Sequence, residues 1–269
     1  MNPNLLFCDA DCNHGPHVTW LMCAHVENEY LRTAIESCLS QTFKSYELII
    51  VLNGPYRDQI EVCIANWFGA NEKIRIYKTE IQHLNFSLNL GLHLSRAKYI
   101  ARMDSDDVAD PCRLERQVNF MDSNSQVSVL GTSYKIVDEA GVEIKSVRNP
   151  LSNETIRRSL YFRNPINHPS VIMRKSCILK VGGYMGGQYA EDYDLWCRLS
   201  LDGSNKFENL QDELLSYRVF GVGSARKSRR AYITMAATQL NMFLLGGNVL
   251  WIFSILISVM KSLFLARRP

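Results

Sequence analysis

The segment Asp104-Ser105-Asp106-Asp107 puts three carboxylates into four residues, directly behind the apolar run Tyr99 to Met103, which reads as a strand end. Carboxylates this close repel one another, and beside a buried strand they cost stability unless a cation or several hydrogen-bond donors compensate. A hard divalent cation, Mn2+ or Mg2+, shared with a diphosphate is the functional compensation that oxygen ligands of this kind provide. The structural alternative is an acidic loop capping the helix that Pro111 begins, since Asp favours helix N-termini. A second acidic pair, Glu191-Asp192, opens the amphipathic stretch that runs to Ser200. Such a carboxylate either accepts a proton from a reacting hydroxyl or caps its helix.

The elements that must position these groups follow from hydrophobic periodicity. His17 to Ala24 predicts a strand, and Glu27 to Leu39 a helix with Leu31, Ile35, Cys38 and Leu39 on one face. Tyr46 to Leu52 contains the uninterrupted run Leu48-Ile49-Ile50-Val51-Leu52, the pattern of a strand buried on both faces in a parallel sheet. A helix over 57–68, a strand over 73–78, a helix over 86–95 and the strand over 99–103 continue the alternation. This order predicts a doubly wound α/β sheet. Ligands on such sheets bind at the carboxyl ends of the strands, which places Ala24-His25, Asn53 and Asp104 to Asp107 on one rim.

Beyond Arg113 the pattern changes. Val127 to Leu130 and Tyr134 to Val137 read as two strands, Glu139-Ala140-Gly141 as a turn and Val142 to Val147 as the return of a hairpin. A helix is expected over 153–162, a short strand over 170–173 and a helix over 191–200. This half covers the rim, where a second substrate would lie.

The chain has 269 residues and a formal charge of +3, too weak an excess to argue for a nucleic-acid partner. Its eight cysteines contain no CxxC pair, so no disulfide framework is expected. Cys8, Cys12, His14 and His17 match no zinc-module spacing and read as part of an N-terminal extension. No basic segment followed by an apolar run opens the chain, so no signal peptide is expected. Near the other end, Met242 to Met260 has only Asn248, Ser254 and Ser258 as polar residues. As one helix it would reach roughly 28 Å, close to the hydrocarbon thickness of about 30 Å. Membrane association is the expectation, with spanning left open because Gly246-Gly247-Asn248 weakens the first half. The basic cluster Arg226, Lys227, Arg229 and Arg230 precedes this segment. It suits anionic headgroups or a lipid diphosphate, or else is a solvated helix face.

Several segments together resemble the inverting glycosyltransferases of family 2, which have the GT-A fold. TWLMCAHVENEYL after Val18 looks like the family's first strand and helix, YELIIVLNG over 46–54 its second strand, and YIARMDSDD over 99–107 its strand and DxD motif. The helix from Pro111 to Gln117, His168-Pro169-Ser170, Gly182-Gly183-Tyr184 and the ED motif in Glu191-Asp192-Tyr193-Asp194-Leu195-Trp196 complete the likeness. Within the family, the chain is most similar to small bacterial enzymes that add a hexose to a lipid-linked precursor of surface polysaccharide, the O-antigen among them.

The resemblance implies a GT-A type doubly wound, mostly parallel sheet over 17–225. Residues 17–110 would be its nucleotide-binding half and 111–225 a smaller acceptor-binding half, flanked by an extension over 1–16 and a membrane-associating segment over 226–269. It further implies a UDP-sugar donor, Mn2+ or Mg2+, and a polyprenyl-diphosphate-linked sugar acceptor at the cytoplasmic face of the bacterial inner membrane. Asp104 would face the ribose or uracil and share the metal with Asp106, while Asp107 either orients them or binds the sugar. Asp192 would be the base and Glu191 would orient the acceptor. His25, Glu27, Asn53, Asn89 and Arg218 would contact the nucleotide sugar. His168, Arg226, Lys227, Arg229 and Arg230 would meet the acceptor or its diphosphate, with a structural role for His168 equally open.

Four positions depart from the family pattern: His25 stands for a tyrosine, Leu52-Asn53 for an Asp-Asp pair, and Phe220 for a histidine two residues after Arg218. Two other functions remain to be distinguished. A nucleotidyltransferase making nucleotide sugars would need a Gly-rich loop after the first strand, and Cys23 to Glu27 is not one. A catalytically silent membrane partner of the same fold is kept open by Val26, Asn53 and Phe220.

Overall fold

The computed structural model describes residues 15–221 and 228–266. Cys8, Cys12, His14, Arg226 and Lys227 lie outside the described residues. The first half alternates as expected: β1 (Val18–Ala24), α1 (Glu29–Leu39), β2 (Tyr46–Asn53), α2 (Arg57–Phe68), β3 (Ile74–Thr79), α3 (Leu84–Leu94) and β4 (Tyr99–Met103). Helix α1 starts two residues later than its pattern suggests because Asn28 is its N-cap, accepting from the Tyr30 and Leu31 amides. Strands β3, β2, β1 and β4 run parallel, with Ala24 opposite Leu52 and Met22 opposite Met103. That register brings His25, Asn53 and Asp104 to the same carboxyl rim.

The interior divides between the two faces of this sheet. Trp20, Met22, Leu48, Ile50 and Leu52 pack on one side with α1, α2 and α4 (Arg113–Ser123); Leu21, Cys23, Ile49 and Val51 pack on the other with α3 and α7 (Glu191–Leu201). Both faces being covered explains why the strand residues are uninterruptedly apolar.

Past β4 the same sheet becomes mixed. Its remaining strands are β5 (Val108–Ala109), β6 (Val127–Val137), β7 (Glu143–Val147), β8 (Ile172–Arg174) and β9 (Lys206–Arg218). The order is β3-β2-β1-β4-β8-β6-β9-β5, with β7 also pairing β6. Helix α5 (Asn153–Leu160) and the short α6 (Lys175–Lys180) complete this half, and a single 3-10 turn, His168–Ser170, leads into β8.

Three expectations change here. The two strands over 127–130 and 134–137 are one, because Gly131, Thr132 and Ser133 continue β6 where it pairs with β9 through register shifts. Gly131 suits that close approach, since a Cβ there would lie 2.1 Å from Asn209 Oδ1. Strand β9 itself was not anticipated, because its polar residues Glu208, Asn209, Gln211, Asp212 and Glu213 mask the period and only long-range pairing defines it.

The third change concerns the C-terminal segment. The helix expected over 242–260 is broken into α8 (Arg229–Gly246) and α9 (Leu250–Ala266). Gly247 adopts a left-handed conformation at φ 66° and donates to the Phe243 carbonyl, while the Asn248 side chain accepts from the Leu250 amide to start α9. Among the described residues no helix is long and apolar enough to cross a membrane.

The packing of α3 on β1 gives a direct check. A Cβ on Gly91 would lie 2.2 Å from Leu21 Cδ1 and 3.3 Å from Val51 Cγ2, both side chains being fully buried. Overpacking of this kind outweighs the gain in helix propensity, so Gly91→Ala is expected to lower stability by about 1–2 kcal/mol in urea unfolding.

Candidate active site

The acidic loop begins where β4 ends. Carboxylate oxygens of Asp104, Asp106 and Asp107 lie within 4.8 Å of one another, and Asp107 is buried. Two arginines compensate this charge. Arg102, 2% exposed on β4, donates from Nη2 to Asp104 Oδ1 at 2.6 Å and from Nη1 to the Met103 carbonyl. Burial alone would lower the proton affinity of its guanidinium, but Asp104 and other nearby acidic groups raise it overall. Arg218, at the end of β9, donates its amide to Asp107 Oδ1 at 2.9 Å and its Nε to the Asp106 carbonyl at 3.0 Å. Its Nη1 reaches the Asp138 and Glu139 carbonyls, and its guanidinium lies 4.4 Å from the Tyr30 ring centroid. The β5–β9 pairing, with Val108 opposite Ser216, holds these two segments together.

Asp104 and Asp106 line a cavity of about 550 Å³ whose wall also carries Glu191 and Asp192 from the first turn of α7. Asp192 Oδ2 accepts from Asn164 Nδ2 at 2.6 Å, and its Oδ1 accepts from the Tyr193 amide at 2.7 Å. These donors fix the carboxylate in place. Glu191 stands beside it in a different environment. Burial, then the neighbouring Asp192, push its carboxyl up to about 7, with Asp104 adding in the same direction and Arg102 opposing. Just before this helix Tyr189 has φ 71°, the one non-glycine residue with positive φ among the described residues, and it too lines the cavity.

The other expected residues fall into four groups. Arg218, Phe220 and His168 line the same cavity; Phe220 packs on Tyr30, and His168 Nε2 is 2.9 Å from the Tyr184 hydroxyl. His25, Glu27 and Asn53 stand on the rim outside the cavity wall, with Asn53 buried and donating to Ser87 Oγ at 2.7 Å. Asn89 is committed elsewhere: Oδ1 accepts from the Tyr184 amide and Nδ2 donates to its carbonyl, both at 2.8 Å, so it ties α3 to the Gly182-Gly183-Tyr184 turn. Arg229 and Arg230 are exposed on the first turn of α8, which Ser228 caps.

The sequence reading missed Arg102, Asn164 and the contribution of α8, whose Ala231 and Met235 close one wall. A charged residue inside the apolar run Tyr99 to Met103 was the available signal for Arg102. Nothing local marked Asn164 or Met235.

All the donors in the acidic loop are hard oxygens, a set that fits Mn2+ or Mg2+ and not a thiophilic metal. Asp104 and Asp106 are the residues that would hold it, because both reach the cavity.

The profile of the family described as Glycosyl transferase family 2 matches residues 19–182. The Escherichia coli O-antigen biosynthesis glycosyltransferase WbnJ is 36% identical over 247 residues, which cover 91% of this chain and 96% of that protein. The Escherichia coli UDP-Gal:alpha-D-GlcNAc-diphosphoundecaprenol beta-1,3-galactosyltransferase is 27% identical, with 84% and 81% covered. Among solved structures, the mannosyltransferase PcManGT from Pyrobaculum calidifontis in complex with GDP-Man and Mn2+ shares the fold. Its TM-score is 0.60 at 10% identity, with 96% of this chain and 77% of that one covered.

The Glu191 environment predicts a pH signature. A carboxyl raised from 4.5 to about 7 binds more protons folded than unfolded, so its contribution is full below pH 4.5 and lost as pH rises through 7. Glu191→Gln should therefore be more stable than the parent by about 3 kcal/mol near pH 8, with the difference vanishing below about pH 4.5, as read by denaturant melts at each pH.

Proposed function

Because the chain belongs to glycosyl transferase family 2, we propose that its cavity carries out an inverting transfer of a hexose, glucose or galactose, from a UDP-sugar to a polyprenyl-diphosphate-linked sugar such as a GlcNAc-diphosphate lipid. The observation that carries this reading is one cavity bounded by the acidic loop and by Glu191-Asp192. The likeness to a galactosyltransferase whose name specifies UDP-Gal and a GlcNAc-diphosphate lipid supports the substrate classes. The product belongs to O-antigen or a similar surface polysaccharide, assembled at the cytoplasmic face of the inner membrane by a peripherally bound enzyme.

Asp192 is the base. Its carboxylate takes the proton of the acceptor hydroxyl as that oxygen attacks the anomeric carbon from the face opposite the nucleotide. The new C–O bond forms, the bond to the β-phosphate oxygen breaks, and UDP departs with the bonding pair. Asn164 and the Tyr193 amide hold Asp192 in place. Glu191, whose proton affinity burial and Asp192 raise, is in its protonated form a hydrogen-bond donor able to orient an acceptor hydroxyl. Asp104 and Asp106 would hold Mn2+ or Mg2+, which supplies Lewis-acid stabilisation of the charge developing on the diphosphate. Arg102 keeps Asp104 from turning away from the cavity. His25, Glu27, Asn53 and Asp107 serve the nucleoside side of the rim, and Arg218 acts chiefly by fixing the acidic loop. His168, Arg226, Lys227, Arg229 and Arg230 are assigned to the acceptor and its diphosphate.

The test uses purified protein, a panel of radiolabelled UDP-sugars and a synthetic GlcNAc-diphosphate lipid. Asp192→Asn should lower turnover by about 10²- to 10⁴-fold while leaving UDP affinity within about twofold. Normal transfer by that variant would remove Asp192 from its role. Chelation should abolish transfer and Mn2+ restore it in the parent, whereas Asp106→Asn should need a markedly higher Mn2+ concentration for half-maximal rate. Pyrophosphate release from UTP and a sugar phosphate would instead identify a nucleotidyltransferase.

A further inference from the structure

The C-terminal hairpin is polar on the inside and apolar on the outside. Ser254, Ser258 and Ser262, spaced four residues apart on one stripe of α9, are all at most 5% exposed, together with Trp251. Phe253, Leu256, Met260, Leu263 and Phe264 are each more than half exposed on the same helix. Two of the buried hydroxyls are satisfied within the helix, Ser254 donating to the Leu250 carbonyl and Ser262 to that of Val259, so their burial leaves no orphan donor. The apolar surface continues over Leu244, Leu245 and Val249 at the turn between α8 and α9. A surface helix in water shows the reverse arrangement, and helices packed in lipid put small residues between them and large apolar ones outward.

Charge is distributed along the hairpin in a matching way. No charged residue occurs between Arg230 and Lys261. Lys261 Nζ lies 5.6 Å from the Tyr232 ring centroid, so the end of α9 returns beside the start of α8. Arg229, Arg230 and Lys261 therefore mark one end, and the uncharged turn Gly246 to Val249 the other. The basic end adjoins the cavity, which Ala231 and Met235 of α8 help to line. Thr234 Oγ1 donates to the Gln188 carbonyl at 3.0 Å, and Gln239 Nε2 donates to the Tyr193 hydroxyl at 3.1 Å, joining α8 to the segment that carries Glu191 and Asp192.

From this pairing of an inverted helix face with a basic end, we propose that the outer face of α8 and α9 is immersed in one leaflet of an anionic bilayer, without crossing it, and that α8 thereby brings the cavity mouth to the headgroup plane. The bilayer is favoured over a second copy of the chain because the apolar surface wraps over the turn as well as along both helices, while the basic end complements anionic headgroups. The second clause rests on the lipid-linked acceptor proposed above: the diphosphate would enter beside Arg229 and Arg230 while its chain stays in lipid.

The test is flotation of the full chain with vesicles of phosphatidylcholine alone or mixed with phosphatidylglycerol. The parent should float with the mixed vesicles and bind several-fold less to the neutral ones, and the double variant Phe253→Asp/Leu256→Asp should lose about tenfold or more of its binding with an unchanged melting temperature. Flotation requires no sugar transfer, so it remains readable if the transferase assignment fails. In the transfer assay, the double variant should keep its rate on a short-chain water-soluble GlcNAc diphosphate and lose it on a vesicle-embedded one. Should the double variant fold poorly, Phe253→Trp with brominated phosphatidylcholine replaces it, and quenching beyond the parent's is the expected result. Absence of parent flotation, undiminished flotation of the double variant, or no added quenching would overturn the proposal. So would a stable dimer by light scattering that the double variant dissociates, which would assign the face to a second copy.

Discussion

The acidic loop concentrates three carboxylates within 4.8 Å of one another at the edge of a buried strand, and much of the second half of the chain is arranged around that charge. Arg102 approaches from the strand itself and Arg218 from the end of β9, more than a hundred residues away. Neither is a simple counter-ion. Arg102 is buried, where an unpaired guanidinium would be costly, so its ion pair with Asp104 matters to both. Arg218 binds the loop through backbone as well as side chain, and its remaining donors tie the Asp138–Glu139 turn to the same spot. The joining of β5 to β9, a pairing of only two residues, becomes intelligible as the brace that keeps this arginine in register.

A consequence of that arrangement is the contrast between Glu191 and Asp192. The two are adjacent on one helical turn, yet Asp192 is held by two hydrogen bonds, from Asn164 and from the Tyr193 amide, whereas burial and the neighbouring Asp192 raise the proton affinity of Glu191. Adjacent acids in different surroundings are suited to different tasks. The strained Tyr189 backbone precedes them, where the chain must turn sharply out of the glycine-containing loop into α7.

Helix α8 links this chemistry to the far end of the chain. It forms part of the cavity wall, is hydrogen-bonded to the segment bearing the acidic pair, and supports α9, whose serines face inward. A disturbance of the hairpin is thus mechanically connected to α7. The interruption at Gly247 gives the second helix its antiparallel course and returns Lys261 to the neighbourhood of Tyr232.

Local periodicity was sufficient for the alternation from β1 to β4, because those strands are covered on both faces and their helices carry a single apolar stripe, signals contained within a dozen residues. The acidic loop and the Glu191-Asp192 pair were legible for the same reason. Folding alone decided that Arg102 pairs with Asp104, that Asn89 is committed to the Tyr184 backbone, that Asn164 supports Asp192, and that β9 completes the sheet. Each depends on partners distant in the chain or on a pairing that a mixed polar sequence does not announce. The segment over 242–260 shows the division most clearly. Its sequence determined that it is apolar and uncharged, but the left-handed turn at Gly247 makes it two helices, and the packing of α9 on α8 buries its serines and turns the apolar face out.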